Sequence, residues 1–86
     1  MAIKKNGTKN DGIKYEVIEK CGVISERSGG YNLELRYISW NGNEPKYDLR
    51  QWKVDDEGEK MSKGITLTGE ELEELGKIIA AMMKED

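Results

Sequence analysis

The sequence predicts an α+β domain in which four antiparallel β-strands are followed by one C-terminal α-helix. Three observations lead to this prediction. Segments rich in Ile, Val, Tyr and Trp alternate with Gly-, Asn- and Pro-containing turns over residues 13–67. A helix N-cap residue, Thr68, then precedes apolar residues at helical spacing. The length of 86 residues is enough for one domain but not for two.

The first strand is predicted over residues 13–27, and Gly22 indicates a bulge at which this strand bends. A glycine turn precedes the second strand, residues 31–40, and an Asn-Gly-Asn-Glu-Pro turn precedes the third strand, residues 46–54. Residues 55–61 are polar and predict a reversal of the chain. The fourth strand is therefore expected to be short, residues 63–67.

The helix follows Thr68, and Glu71 lies three residues later, as in a capping box. The first turn is acidic, which suits the positive end of the helix dipole. The apolar stripe of the helix is wider than one small sheet covers, so we expect a second copy of the chain to cover it. The expected homodimer interface consists of Leu72, Leu75, Ile78, Ile79, Met82 and Met83. The alternative is that the sheet curls around the helix and hides these side chains.

Composition argues against catalysis. The chain has no histidine and a single cysteine, Cys21, so an intrachain disulfide and a Cys/His zinc site are excluded. Cys21 lies in an apolar strand and is expected to be an inert core thiol. The acids at positions 55–57 are typical of a solvated turn rather than of an acid/base pair. We therefore expect a protein that is not an enzyme and that uses no metal and no cofactor.

Residues 1–12 are polar and predict a flexible arm in front of a folded domain, residues 13–86. Two interpretations of the arm stay open, a tail without function and a weak electrostatic contact through Lys4, Lys5 and Lys9. No apolar run reaches the roughly 20 residues that a membrane span requires. Together with the lone thiol, this favours a cytoplasmic protein without a membrane partner.

The second and third strands alternate apolar and polar residues, which separates two faces of the sheet. One face carries Leu33, Leu35 and Leu49, and the helix is expected to cover it. The opposite face is expected to be open. It carries two tryptophans and several cations, a combination that stacks unpaired bases and contacts phosphates. These residues are Arg36, Trp40, Lys46, Arg50 and Trp52.

Each of these side chains also has a structural alternative. Trp52 lies in the core if a bulge follows Gln51, and Trp40 at a strand end caps the core or a dimer contact. The two arginines form ion pairs with the acids two positions before them, Glu34 and Asp48.

The segment 40–67, WNGNEPKYDLRQWKVDDEGEKMSKGITL, adds a resemblance. The D-L-R element followed by an aromatic residue, the D-x-E-G-E element, and K-G-I-T-L-T before an acidic helix resemble the positive-cofactor-four (PC4-type) transcriptional coactivators. The W-N-G-x-x-P-K-Y-D pattern is similar to their bacterial YdbC-type branch. The similarity extends in pattern from about Tyr15 to Met83.

The resemblance implies a curved four-stranded antiparallel sheet, a dimer formed largely through the helices, and sequence-tolerant binding of single-stranded DNA in grooves across the two sheets. The positions that match the DNA-contacting pattern of the family are Trp40, Arg50 and Lys63, and Lys46 and Lys53 are further candidates.

Two departures from the family limit what is carried over. Lys53 stands where animal members have an aromatic residue, and Trp52 is a possible substitute for that stacking site. The serine-rich regulatory tail of the animal coactivators is absent, so the resemblance implies single-strand binding but not coactivator function.

The expected function is therefore binding of single-stranded DNA by a homodimer through base stacking and phosphate contacts. Transcription, replication, recombination and repair are all compatible with it, and RNA binding is a close variant. A protein-interaction module whose aromatic outer sheet face receives a partner chain is the alternative from another class. No small-molecule substrate is expected. The candidate nucleic-acid-binding residues are Arg36, Trp40, Lys46, Arg50, Trp52, Lys53 and Lys63.

Overall fold

The computed structural model describes residues 14–84. Four strands are followed by one helix: β1 (Tyr15–Glu26), β2 (Asn32–Trp40), β3 (Lys46–Asp55), β4 (Gly58–Leu67) and α1 (Gly69–Met83). The strands form one open sheet in the order β1-β2-β3-β4, each antiparallel to its neighbour. The predicted α+β architecture is confirmed. Within residues 14–84, no helix is long and apolar enough to cross a membrane. The arm predicted at residues 1–12 lies outside the described residues.

Strand β1 is strongly bent. Its register against β2 shifts at three places, Val17/Glu19, Lys20/Gly22 and Val23/Ser25. Each shift adds one residue to β1, and such bulges bend a strand and increase its twist. The bulge predicted at Gly22 is confirmed as the second of the three. The resulting curl brings Tyr15 of β1 to Glu59 of β4, so that side chains from opposite edges of the sheet form a hydrogen bond of 3.1 Å.

The expectation of a short fourth strand is wrong, because β4 begins at Gly58 and pairs with β3 along its whole length. The turn between the two strands occupies only two residues. The backbone N–H of Glu57 donates to the carboxylate of Asp55 at 2.9 Å. Gly58 supplies the left-handed backbone, with φ of +115°. The first half of β4 is polar, and for this reason its sequence resembles a loop.

The helix begins as predicted. The Thr68 hydroxyl accepts from the backbone N–H of Glu71 at 3.1 Å, and the Glu71 carboxylate accepts from the backbone N–H of Thr68 at 2.9 Å. None of the residues of α1 is buried within the single chain. The alternative in which the sheet curls around the helix is therefore wrong. The larger apolar side chains of α1 from Leu75 onward are exposed instead, from 37% at Leu75 to 75% at Met83, and Leu72 is half-buried.

The sheet curls toward the face that the sequence analysis expected to be open. Ile38 and Trp52 are the buried apolar residues on this face, and Glu34, Arg36 and Asp48 are buried with them. The opposite, leucine-bearing face is only half-buried along β2 and β3. The expectation of an open aromatic-basic face is thus wrong at Arg36 and Trp52, which the curl of the sheet buries, whereas Trp40 and Arg50 are half-buried and Lys46 is exposed.

The expectation that Cys21 is a core thiol is also wrong, because Cys21 is exposed. It lies within the second bulge of β1. Partial desolvation and the nearby charge of Glu19 raise the pKa of the Cys21 thiol, which keeps it protonated and unreactive at neutral pH.

Candidate nucleic-acid interface

Strands β2 and β3 carry the same local arrangement, an arginine held by the acid two positions before it. The Nε of Arg36 donates to the Glu34 carboxylate at 2.7 Å. Arg50 donates two hydrogen bonds to Asp48, each 2.7 Å long. Residues two positions apart share a face of a strand, so each pair forms without any long-range contact. The predicted alternative of ion pairing with Glu34 and Asp48 is confirmed.

The first arrangement is part of what we call the closed cluster: Tyr15, Glu34, Arg36, Trp52 and Glu59. The Arg36 guanidinium lies 3.9 Å above the Trp52 ring and is bound to the Glu59 carboxylate at 3.0 Å. Trp52 is 1% exposed and Arg36 is 2% exposed. These two candidate residues therefore lie beneath the surface, where a bound strand does not reach them in this conformation.

The core alternative for Trp52 is confirmed, although Trp52 remains on the same face of the sheet as Arg36. The pairing of β2 with β3 continues without interruption to Asn32 and Trp52. The only shift near it lies on the other side, between β3 and β4 at Arg50/Trp52. What buries Trp52 is the curl of the sheet.

Tyr15 covers this cluster and was missed by sequence reasoning. Its ring centroid lies 5.7 Å from that of Trp52 and 5.4 Å from that of Trp40, while its hydroxyl donates to Glu59. Burial, followed by the charge of Glu59, raises the pKa of the Tyr15 hydroxyl. The contact joins residues 44 positions apart, so no local pattern in the sequence could reveal it.

The second arrangement borders an open groove of about 570 Å³. Trp40 is half-buried and Lys46 is exposed in this groove. The Arg50 guanidinium lies 4.8 Å from the Trp40 ring centroid. Three of the seven candidate residues thus meet in one place. The residues that line the open groove are Trp40, Asn41, Asn43, Glu44, Lys46, Arg50 and Thr66.

One wall of the open groove is the turn between β2 and β3, and hydrogen bonds hold it in place. Asn41 and Lys14 form two of them, at 2.7 Å and 3.1 Å. The Ser39 hydroxyl donates to the carbonyl of Asn43 at 2.8 Å. Asn41 has a left-handed backbone with φ of +52°, which asparagine tolerates better than most residues. The turn predicted from Asn-Gly-Asn-Glu-Pro is therefore a fixed wall.

The edge of the groove depends on Gly64 of β4, which pairs with Arg50. A Cβ atom at Gly64 would clash with the Arg50 side chain and the Leu49 carbonyl, and would lie 2.9 Å from the Arg50 Nε. Only glycine lets the arginine lie flat across β4. Arg50 of the D-L-R element and Gly64 of the K-G-I-T-L element therefore lie directly against each other.

The remaining candidate cations lie outside the groove. Lys53 has its amine 5.5 Å from the Tyr31 ring centroid, and Lys63 is exposed on β4. Within residues 14–84, neither lysine nor Lys46 takes part in an ion pair with another described side chain. Their charges are therefore available to a polyanion. Over the same part of the chain, no group of three or more acidic or Cys side chains is placed to hold a metal ion.

Comparison with known proteins extends these observations. The family model described as Transcriptional Coactivator p15 (PC4) matches residues 28–78, a range that includes β2, β3, β4 and the open groove. An uncharacterized protein of Treponema pallidum (strain Nichols) is 43% identical over 82 residues, covering 95% of this chain and 94% of the relative. The resemblance in the W-N-G, D-L-R and K-G-I-T-L elements is thereby confirmed, and the chain belongs to the Transcriptional Coactivator p15 (PC4) family.

Proposed function

We propose that a cytoplasmic homodimer of this chain binds single-stranded DNA through base stacking and phosphate contacts, with most of the affinity independent of sequence. The observation that carries the proposal is the open groove, where Trp40, Lys46 and Arg50 meet. Membership of a family of nucleic-acid-binding proteins without catalytic activity supports it.

The three residues contribute in different ways. Trp40 offers its exposed part to an unstacked base, a contact worth roughly 1–3 kcal/mol in single-strand-binding proteins. Lys46 is free to contact a phosphate. Arg50 is already bound to Asp48, so we assign it the role of holding the Trp40 ring in place. Lys53 and Lys63 extend the positive charge beyond the groove, and their contribution falls as salt increases.

The second part of the proposal is the dimer. Apolar side chains on α1 are exposed in the single chain, among them Ile78 at 51% and Ile79 at 46%. Such a continuous apolar surface marks an interface, and an 86-residue chain gains stability from a partner. The proposed contact is the set of six residues expected above, Leu72, Leu75, Ile78, Ile79, Met82 and Met83.

Analytical ultracentrifugation tests the dimer. Ile79→Glu places a charge in the proposed contact and should give monomers or an unfolded chain, which circular dichroism distinguishes. Lys77→Glu introduces the same side chain at an exposed position of the same helix and should leave the dimer intact. An unchanged dimer in Ile79→Glu would refute the proposed contact.

Titration with dT oligomers of graded length tests the binding. Binding should quench tryptophan emission. The emission that is quenched should be that of Trp40, because Trp52 is sealed from solvent. We also expect the logarithm of affinity to fall with the logarithm of salt concentration, with a slope of about −0.7 per phosphate contacted. A duplex of equal length should compete weakly. Equal affinity for rU oligomers would indicate the RNA variant, and a flat titration at low salt would favour the protein-interaction alternative.

Two lysine variants locate the site. Lys46→Ala should weaken binding of dT oligomers and reduce the salt slope by about 0.7. Lys60→Ala removes the same charge at the far end of β3 and β4, where Lys60 is bound to Asp55 at 3.1 Å and to Glu57 at 3.3 Å. Lys60→Ala should change neither the affinity for dT oligomers nor the salt slope. Equal losses in the two variants would contradict a site in the open groove.

A further inference from the structure

A carboxylate lines the groove in which we place a polyanion. Glu44 is exposed on the wall of the open groove, together with Trp40 and Lys46. Among residues 14–84, no cation lies within ion-pair distance of it. Its negative charge opposes phosphate binding at this position. The Glu44 carboxylate favours binding only if it accepts hydrogen bonds from the base that enters the groove.

The position of Glu44 is restrained. Pro45 follows it, and a residue before proline is confined to extended backbone conformations. The turn on its other side is fixed through Asn41 and Asn43. The carboxylate therefore projects from a rigid wall rather than from a mobile loop. Two further polar side chains, those of Asn43 and Thr66, line the same space.

An unpaired base presents its Watson–Crick edge to such a wall. A carboxylate accepts hydrogen bonds and has no donor of its own. Guanine offers two neighbouring donors, N1–H and the N2 amino group, which match the two oxygens of a carboxylate. Thymine offers one donor, N3–H, between two carbonyl oxygens that repel it. Cytosine and adenine each place one amino group beside an acceptor nitrogen.

We propose that Glu44 makes the open groove a guanine-selective subsite within a binding surface that is otherwise tolerant of sequence. This inference rests on the proposed function. Bidentate contacts between side chains and base edges in duplex DNA discriminate roughly five- to 150-fold. The open groove is solvated, so a preference of about five- to tenfold for guanine over thymine is expected.

Competition with the full chain tests the subsite. A labelled dT oligomer is displaced by unlabelled oligomers that are identical except for two central positions, which carry thymine, guanine or hypoxanthine. Guanine should compete about five- to tenfold better than thymine. Hypoxanthine keeps N1–H but lacks the N2 amino group, and should lose most of that advantage. Because each strand carries only two guanines, quadruplex formation is avoided.

The variant Glu44→Gln should bind the all-thymine oligomer at least as tightly as the native chain, and should lose the preference for guanine. Glu57→Gln removes the same charge from the turn at the far end of β3 and should retain the preference. Equal competition by guanine and thymine, or a preference that persists in Glu44→Gln, overturns the subsite while the proposed function stands. If no oligomer binds, the proposed function fails and the subsite fails with it.

Discussion

The closed cluster and the open groove are two versions of one arrangement. In each, an arginine held by the acid two residues before it lies against a tryptophan, at 3.9 Å for Arg36 and Trp52 and at 4.8 Å for Arg50 and Trp40. Yet Trp52 is 1% exposed, whereas Trp40 borders a groove. The same residue types therefore build core at one end of the sheet and a candidate binding surface at the other.

The difference lies in what covers each arginine. Arg36 is bound by a second carboxylate, that of Glu59, whereas the Tyr15 ring lies near both indoles. Arg50 has the Asp48 carboxylate and a weak contact of 3.4 Å to the carbonyl of Ser62. A buried charge needs its partners close, and the curl of the sheet brings the Glu59 carboxylate of β4 to within 3.0 Å of the Arg36 guanidinium.

The largest expected effect distinguishes the two tryptophans. Trp52→Ala should lower the free energy of unfolding by about 3–5 kcal/mol, because it empties a sealed site, and a small domain tolerates such a loss poorly. Trp40→Ala should lower it by about 1 kcal/mol and should mainly weaken dT binding. Urea denaturation and oligomer titration measure the two quantities. The reverse pattern would show that Trp40, not Trp52, is the core residue.

Arg50→Ala is expected to have the next largest effect, and on stability as well as on binding. Asp48 is 0% exposed, so removal of its arginine leaves a buried carboxylate unpaired, at a cost of about 3 kcal/mol in the free energy of unfolding. The double variant Asp48→Ala/Arg50→Ala removes both charges and should be less destabilised than the sum of the single variants. Simple additivity in urea denaturation would argue against this pair as a stabilising unit.

Several features of the fold could be predicted from sequence because they depend on local chemistry. Thr68 and Glu71 form the predicted capping box, and the bulge at Gly22 is present. The two arginine–acid pairs follow from a spacing of two residues on a strand. Neighbouring residues carry all the information that these features need.

Which face is open could not be predicted, because it depends on contacts between distant parts of the chain. The hydrogen bond between Tyr15 and Glu59 closes the sheet across 44 positions, and neither residue has a local pattern that indicates the pairing. Sequence alternation separated the two faces of β2 and β3 correctly. It assigned the wrong face to the interior because it treated the sheet as flat.

A smaller effect is expected at Gly64, which supports the groove but not the closed cluster. Gly64→Ala should displace the Arg50 side chain, lower the free energy of unfolding by about 1–3 kcal/mol and weaken dT binding. Gly22→Ala is the matched control, because within residues 14–84 no atom beyond its two chain neighbours lies within 4 Å of the added Cβ. It should be neutral or slightly stabilising. If the two variants behave alike in denaturation and titration, the close approach of Arg50 to Gly64 is not required.

The smallest expected effect tests what holds the closed cluster shut. Tyr15→Phe keeps the ring and removes the hydrogen bond to Glu59, and should lower the free energy of unfolding by about 0.5–1 kcal/mol at neutral pH. Burial and the charge of Glu59 raise the pKa of Tyr15 above 10.0, so the folded state holds this proton more tightly than the unfolded state. The protonated Tyr15 hydroxyl therefore makes its full contribution to the free energy of unfolding below pH about 10. This contribution is lost as pH rises through the pKa of Tyr15 in the folded state. The stability difference between native chain and variant should shrink in urea denaturation at pH about 10.5 relative to pH about 8; a difference that grows would mean that the hydroxyl does not donate to Glu59.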